Sequence, residues 1–362
     1  MNKIQDIFRL YGPEYLKRYG RRMPASHRKV MDAILQCRTG YFGKHAYRCE
    51  GCGHIHSLPR SCGNRHCPGC QQHKAERWLY RQMQHRLPCS YFMLTFTVPE
   101  ALRRFIRSHQ RIAYSAMFEA AAGATRRLAK DRRFVGAEHT GFTGVLHTWG
   151  RMLQFHPHLH FLVPGGGLSK DRNQWKASAQ GFFVRVEPLS IIYRAKFRDA
   201  IDRAGLLEQI DPSVWTQDWV VHSKAVGNGK GVLQYLSRYV FRVAISNARI
   251  ISYEDGQVTF RYRKMHSRRW RKCTVDAIEF IRRFLQHVLP TGFMKIRHYG
   301  FMAANAAISI QRIRELICDL YELLQHLFDP GQPPVPPPMK CPRCGKRLRL
   351  FKTVLPLILP SG

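Results

Sequence analysis

HTWGRMLQFHPHLHFLVPGGGL, residues His147 to Leu168, is the stretch around which the rest of the chain can be read. Gly144 to Trp149 and His158 to Val163 have the composition of two strands joined by a loop, and Pro164 followed by three glycines ends the second. Residues two apart in a strand point to the same face, so His158 and His160 place two imidazoles side by side while Leu159 turns into the core. That is a metal-ligand arrangement. His156 has the same parity but adjoins Pro157, where the strand should begin, and it ranks below the other two. A third ligand is expected from His147 on the preceding strand, with Gln154 as its substitute. Two neutral imidazoles and one further polar ligand leave open positions on a divalent ion such as Mg²⁺ or Mn²⁺, where a phosphate oxygen can bind and be polarised. Alternating histidines also occur as incidental surface residues, and this chain has 18 histidines.

The flanking sequence predicts the sheet to which this hairpin belongs. Tyr91 to Val98 (YFMLTFTV) reads as a buried strand and Pro99 to about Asp131 as a long helix. Further strands are expected at Phe182 to Val186, Trp219 to Ser223, Arg249 to Tyr253 and Val258 to Arg263, with Asp255-Gly256 as a hairpin turn. Helices are expected at Pro188 to Ala204, Gly231 to Val243 and Ala304 to Phe328. This mixture predicts an α+β fold with a central, largely antiparallel sheet flanked by helices. Pro330 to Pro338 holds six prolines in nine residues and reads as an extended linker. The expected organisation is a small zinc-binding domain over residues 1–90, a catalytic domain over 91–290, a helical extension over 291–329, and a Pro-rich linker with a short tail over 330–362.

The zinc reading rests on the cysteines. Cys49-x-x-Cys52 and Cys67-x-x-Cys70 have fourteen residues between Cys52 and Cys67, and two such turns can place four thiolates on one zinc ion. Four thiolates close the coordination shell, so the expected role is folding and DNA contact. Cys37, Cys62, His54, His56 and His66 could exchange with these ligands or build a second site. Cys341-Pro-Arg-Cys344 lacks a matching downstream pair and is a half-site, a partner to the first module, or nothing. Arg48, Arg60, Arg65, His73, Lys74 and Arg77 surround the knuckles and could meet phosphates, or simply form a solvated basic surface.

Composition narrows the partner. Lys and Arg number 59 against 24 Asp and Glu, a net charge of +35, and the positive field of such a chain attracts polyanions. The cations are spread over every region rather than gathered on one amphipathic helix, which favours nucleic acid over a membrane surface. No run of about 18 apolar residues appears and Met1 to Tyr11 has no apolar signal core, so a cytoplasmic protein with reduced cysteines is expected.

Tyr235 and Tyr239 lie one helical turn apart in GVLQYLSRYVFR, where Val232, Leu236 and Val240 make a buried stripe and Arg238 and Arg242 share the tyrosine face. A phenol normally stays protonated near pH 7, so a nucleophilic tyrosine needs cations or a metal beside the phosphate. Spacing alone is weak evidence, because Tyr11, Tyr15 and Tyr19 repeat the interval without a histidine cluster.

HTWGRMLQFHPHLHFLVPGGGL and GVLQYLSRYVFRVAISNARI (Gly231 to Ile250) resemble the two signature regions of the two-tyrosine rolling-circle transposases of bacterial insertion sequences, the insertion sequence 91 type. CRTGYFGKHAYRCEGCG, SCGNRHCPGCQ (Ser61 to Gln71) and GFMKIRHYG (Gly292 to Gly300) fit the same pattern, the first two resembling its N-terminal zinc-binding domain. The resemblance implies an HUH nuclease in which the histidine-hydrophobic-histidine pair, here His158 and His160, binds a divalent metal and the paired nucleophiles are Tyr235 and Tyr239. It implies cleavage of single-stranded DNA through a 5′-phosphotyrosine, release of a 3′-hydroxyl and rejoining by the reverse attack. The chain has no G-x-x-x-x-G-K-[ST] phosphate loop, so unwinding would fall to a host helicase. A replication initiator with the same chemistry and a zinc-dependent DNA-binding regulator are the alternatives. A two-metal carboxylate transposase is disfavoured, since Asp211, Asp218, Glu254 and Asp255 are scattered near turns.

Overall fold

The computed structural model describes residues 2–240, 244–263, 267, 269–321 and 338–356. The chain begins with α1 (Lys3–Tyr19) and α2 (Ala25–Leu35), followed by the hairpin β1 (Lys44–Cys49) and β2 (Ile55–Pro59) and then α3 (Gln72–Gln84). Next come β3 (Tyr91–Thr97), α4 (Leu102–Ser108), α5 (Gln110–Lys130), β4 (Phe142–Trp149) and β5 (Phe155–Pro164). A small hairpin of β6 (Gly166–Leu168) and β7 (Trp175–Ala177) leads to α6 (Val186–Arg203), β8 (Val221–Ala225) and α7 (Lys230–Val240). The remainder comprises β9 (Ile250–Ser252), β10 (Gln257–Arg263), β11 (Trp270–Asp276), α8 (Ala277–Leu285), β12 (Ile296–Tyr299), α9 (Ile310–Tyr321) and β13 (Leu348–Val354).

The central sheet has five strands in the order β12-β4-β5-β3-β8, and every pairing is antiparallel. Its two faces are separated by strand parity. Phe92, Leu94, Phe96, Leu146, Leu159, Phe161 and Val163 share one core with Met117, Phe118 and Ala121 of α5 and Leu189, Tyr193 and Phe197 of α6. Burying each of these large side chains contributes about 1.5–3 kcal/mol, which fixes the register, because a one-residue slip would exchange this face with the histidine face. Gly144 is required by that packing: a β-carbon there would lie 2.5 Å from the Phe161 ring.

Several expectations are corrected by tertiary context. The helix predicted over Pro99 to Asp131 is two helices, broken at His109, whose backbone leaves the helical region. Residues 182–185 form no strand; Phe183 and Val184 are buried in the central core and the helix starts at Val186. Strand β11 was not anticipated, and it completes a three-stranded sheet in the order β11-β10-β9. The hairpin turn at Asp255-Gly256 has φ of 50° and 72°, the two positive values that a tight β-turn of this hand needs. Of the Pro330 to Pro338 linker, residues 330–337 lie outside the described residues, as do 322–328 of the helix expected from Ala304; what is described of that helix begins at Ile310.

The N-terminal helix packs against a later part of the chain. Ile4, Ile7 and Phe8 of α1 share a core with Phe280, Ile281 and Phe284 of α8, and the Phe8 and Phe284 rings meet edge to face at 5.1 Å. The turn between β4 and β5 is anchored on the same region: Gln286 Nε2 donates to Leu153 O at 2.7 Å, and His287 Nε2 lies 3.1 Å from the same oxygen. Leu153 itself is buried with φ of 64°.

Burial makes this fold acid-sensitive. His66 and His287 are 6% and 2% exposed, and desolvation holds each pKa near 3. The folded state therefore refuses protons that the unfolded chain takes up below about 6.5, and stability falls as pH drops through that window. Between pH 7 and pH 5 each buried histidine costs about 2 kcal/mol. The melting temperature should fall over this interval, and His287→Gln, less stable at pH 7, should lose less on acidification than the parent. Parallel losses in the two proteins would contradict this assignment.

Candidate active site and metal centres

His147, His158 and His160 meet on the face of the sheet opposite α5 and α6. The β4–β5 register pairs His147 with His158 and Val145 with His160, so the hairpin places the third imidazole beside the first two. One ring nitrogen from each lies within 4.8 Å of the others. The ring centroids are 5.4 Å (147 to 158), 4.7 Å (147 to 160) and 4.8 Å (158 to 160) apart, with interplanar angles of 85°, 74° and 88°. Three imidazoles converging at this separation could hold one divalent ion.

The neighbours set the ligand atoms. His158 Nδ1 lies 2.8 Å from His156 O, so it carries the proton and leaves Nε2 with a lone pair. His160 Nδ1 lies 3.1 Å from the hydroxyl of Thr95, its register partner on β3. All three pKa values are depressed, first by burial and, for His147 and His158, also by the adjacent imidazoles; that of His160 falls to about 4. Neutral imidazole is the form that binds a metal. His156 stands apart, with Nδ1 2.9 Å from Arg103 Nη2, and Gln154 is used in the turn, where its Oε1 accepts from Met152 N at 3.0 Å.

Helix α7 carries Tyr235 and Tyr239. Asn228 Oδ1 accepts from Lys230 N at 3.1 Å at its start. The buried stripe is Leu233, Leu236 and Val240, with Val232 only partly buried, and it packs in one core with Trp78 of α3, Val145 and Leu162 of the sheet, and Leu316 and Ile317 of α9. The helix therefore lies between the cysteine-rich region and β4, the strand that carries His147. Tyr235 is 44% exposed. The side chains of Arg238 and Tyr239, and the whole of Arg242, lie outside the described residues.

Between α7 and β4 is a cavity of about 180 Å³ bordered by Val240, Thr148, Trp149, His287 and Lys295, among others. The Trp149 ring stacks on His147 at 4.9 Å, and Lys295 Nζ lies 4.6 Å from the Trp149 centroid. Burial lowers the Lys295 pKa to about 7. Thr95 and Lys295 were not singled out from sequence. Thr95 becomes visible only through register, and Lys295 only through the β12–β4 pairing beside it, where Leu146 N donates to Lys295 O.

The cysteines fall into a different pairing from the one expected. Cys49 and Cys52 do not meet Cys67 and Cys70. One group joins Cys37, Cys62, Cys67 and Cys70, and the other joins Cys49, Cys52, Cys341 and Cys344, each with all four sulfurs within 4.8 Å. The physical reason is topological: the β1–β2 hairpin turns Cys49 and Cys52 towards the tail strand β13, while Cys37 at the end of α2 closes on the following loop. Cys62 and Cys70 are 3.6 Å apart. Zinc–sulfur bonds of about 2.3 Å give a tetrahedral edge of about 3.8 Å, so these donors fit zinc. His54, His56 and His66 stand outside both groups, and no Asp or Glu joins such a cluster among the described residues.

Three of the cations that could meet phosphates, or form a solvated surface, bond to the protein's own carbonyls, among them Arg60, which donates to Phe42 O at 3.4 Å. Arg65 donates to Phe293 O and Pro290 O at 2.6 and 3.0 Å, tying the loop of the first cysteine group to the segment after α8. Lys74 donates to Gly63 O at 3.3 Å. Arg77 and His73 are exposed.

The sequence comparisons bear on the same residues. The Y2_Tnp family, described as "Putative transposase", matches residues 141–309, which include the histidine hairpin and α7, and the "Transposase zinc-binding domain" of the Zn_Tnp_IS91 family matches residues 7–98. The "Putative transposase y4qJ" of Sinorhizobium fredii is 41% identical, across 83% of this chain and 80% of that protein. The chain belongs to the IS91 family of transposases. The transposase of insertion sequence element IS801 from Pseudomonas savastanoi pv. phaseolicola is 28% identical to this IS91-type transposase over 88% of the chain and 82% of its own length. No solved structure matches. Among the described residues of the transposase, no helix is long and apolar enough to cross a membrane.

Proposed function

We propose that this transposase nicks and rejoins single-stranded DNA with Tyr235 and Tyr239 as nucleophiles on a phosphodiester bound at His147, His158 and His160. The observation that carries this reading is the convergence of three neutral imidazoles on the strand pair against which the tyrosine helix is packed. A divalent ion such as Mg²⁺ or Mn²⁺, when held by these imidazoles, supplies Lewis-acid polarisation of the phosphate. The residues supply the rest. His156 O and Thr95 orient two of the rings, the packed stripe of α7 fixes the helix, and Arg238 and Arg242 give positive charge for the DNA backbone.

In the forward step a tyrosine oxygen forms a bond to phosphorus and gives up its proton. The bond from phosphorus to the 3′ oxygen breaks, and that oxygen leaves as a hydroxyl after taking up a proton. The product is a 5′-phosphotyrosine, which retains the energy of the ester, so the reverse attack by a 3′-hydroxyl rejoins strands without ATP. Two tyrosines let two strands be held at once, as exchange between a donor and a target requires.

The group of Cys37, Cys62, Cys67 and Cys70 serves as a structural zinc site. Its closed thiolate set leaves no position for substrate, and α3, which follows it directly, supports α7 through Trp78. We place the protein in the cytoplasm, at DNA that a host helicase or replication machinery has opened. The test is incubation of the purified chain with labelled single-stranded oligonucleotides that span the element's ends. Cleavage should need Mg²⁺ or Mn²⁺ and stop with EDTA, and binding should weaken steeply with salt, with a slope of about −0.7 per phosphate contacted. Binding without cleavage at any metal concentration would contradict the reading.

A further inference from the structure

We propose that Cys49, Cys52, Cys341 and Cys344 hold a second structural zinc ion that clasps the tail of the chain to its N-terminal hairpin. The residues matched by the zinc-binding domain end at 98, so half of this donor set comes from outside it. Cys49 Sγ lies 3.4 Å from Cys344 Sγ, and Cys52 Sγ lies 3.8 Å from Cys341 Sγ. Each pair spans the two ends of the chain. A disulfide would need about 2.05 Å, whereas the edge of a zinc tetrathiolate is about 3.8 Å.

The two turns that carry the sulfurs are built alike. In each, the first cysteine's N–H donates to the carbonyl five residues later: Cys49 to His54 at 2.9 Å and Cys341 to Lys346 at 2.7 Å. The glycine after the second cysteine donates back to the first cysteine's carbonyl, Gly53 to Cys49 at 3.2 Å and Gly345 to Cys341 at 2.9 Å. Gly53 and Gly345 have φ of 69° and 72°, a left-handed conformation that glycine adopts without the steric cost of a β-carbon. The turns from opposite ends of the chain thus form a matched pair around one centre, and Gly51 N also points at Cys49 Sγ from 3.3 Å.

The energetics need the ion. The sheet that this clasp organises has the order β13-β1-β2, and its buried apolar residues are Cys49, Cys341 and Leu348, with Tyr47 and Met339 partly buried. Every residue of β13 after Leu348 is exposed, including Leu350 and Phe351. A core this small cannot offset the entropy of ordering three strands, and coordination supplies what is missing. Lys44, Arg48, Arg60, Lys340, Arg343, Lys346, Arg347, Arg349 and Lys352 lie in these two segments with Glu50, paired to Arg349 at 2.7 Å, as the single acid, so the segments carry a strong excess of positive charge.

Cys52 and Cys344 are exposed, which makes the proposal open to alkylation. Native full-length protein is treated with iodoacetamide and the labelled cysteines are mapped by mass spectrometry, before and after a chelator, alongside zinc counted by plasma emission and thiolate-to-cobalt absorption after exchange with Co²⁺. The wild type should protect Cys49, Cys52, Cys341 and Cys344 together, release them together on chelation, and show two cobalt tetrathiolate equivalents. Cys341→Ser with Cys344→Ser should halve the cobalt signal and expose Cys49 and Cys52, while Cys37, Cys62, Cys67 and Cys70 stay protected as an internal control of folding. Should that variant misfold, the wild-type pattern decides alone. Labelling of Cys341 and Cys344 in untreated wild type, one cobalt equivalent, or continued protection of Cys49 and Cys52 in the folded variant would overturn the proposal.

Discussion

Replacing His158 and His160 together by alanine is expected to lower metal-dependent nicking by at least about 10³-fold while leaving DNA binding within a few-fold. The loss follows from removing two of three ligands, since Lewis-acid stabilisation is worth several kcal/mol and each 1.4 kcal/mol is tenfold in rate. Binding should survive because it comes mainly from the excess of Lys and Arg. The substitution also removes a cost: His160 is buried, His158 partly buried, and desolvation holds both rings neutral against their ordinary pKa. The variant should therefore remain folded, and circular dichroism alongside the nicking assay checks this. Thr95→Val, which leaves the imidazoles in place, should weaken the metal requirement by about 10–100-fold, read as a higher Mg²⁺ concentration for half-maximal cleavage. Full cleavage by the double alanine variant at ordinary Mg²⁺ would remove the histidines from the mechanism.

The second large effect is expected at the tyrosines. Tyr235→Phe with Tyr239→Phe should abolish covalent capture, because phenylalanine has no oxygen to bond to phosphorus, and no neighbouring hydroxyl on α7 replaces it at the same position. Ser237, the one other hydroxyl of the helix between them, is buried and donates to Gln234 O at 2.9 Å. Stability should change little, since Tyr235 is 44% exposed and the substitution keeps its ring. Gel shift with the double variant should remain, and the band resistant to denaturation should vanish.

The central features of the site could be read from local periodicity. The alternation in His158-Leu159-His160 separates ligand face from core face by two-residue parity, and the structure places Leu159 at full burial beneath the histidines. His147 could be expected because a hairpin must bring the preceding strand alongside. The cysteine partition was not legible in this way. Spacing reveals a knuckle, but which two knuckles share a centre depends on where a tail nearly 300 residues away returns, and only the β13–β1 pairing settles that. Thr95 lies in the same position: nothing in YFMLTFTV distinguishes it until the register sets it opposite His160.

The misses in secondary structure have similar causes. Phe182 to Val186 has strand composition, yet no strand offers it a ladder, and Phe183 is buried instead against the sheet, its ring 5.5 Å from Phe92. Trp270-Arg-Lys-Cys-Thr-Val hides a strand among cations that read as solvated surface, and pairing with β10 is what orders it.

In the proposed reaction a tyrosine of α7 becomes joined to DNA at the histidine site. Incubation with a single-stranded oligonucleotide carrying the element's end and Mn²⁺, followed by denaturation, proteolysis and mass spectrometry, tests it most directly. The expected product is a nucleotide-bearing peptide modified at Tyr235 or Tyr239, linked through the 5′-phosphate, and lost when EDTA is present. Cleaved DNA whose 5′-phosphate is free, or an adduct on any other residue, would contradict it.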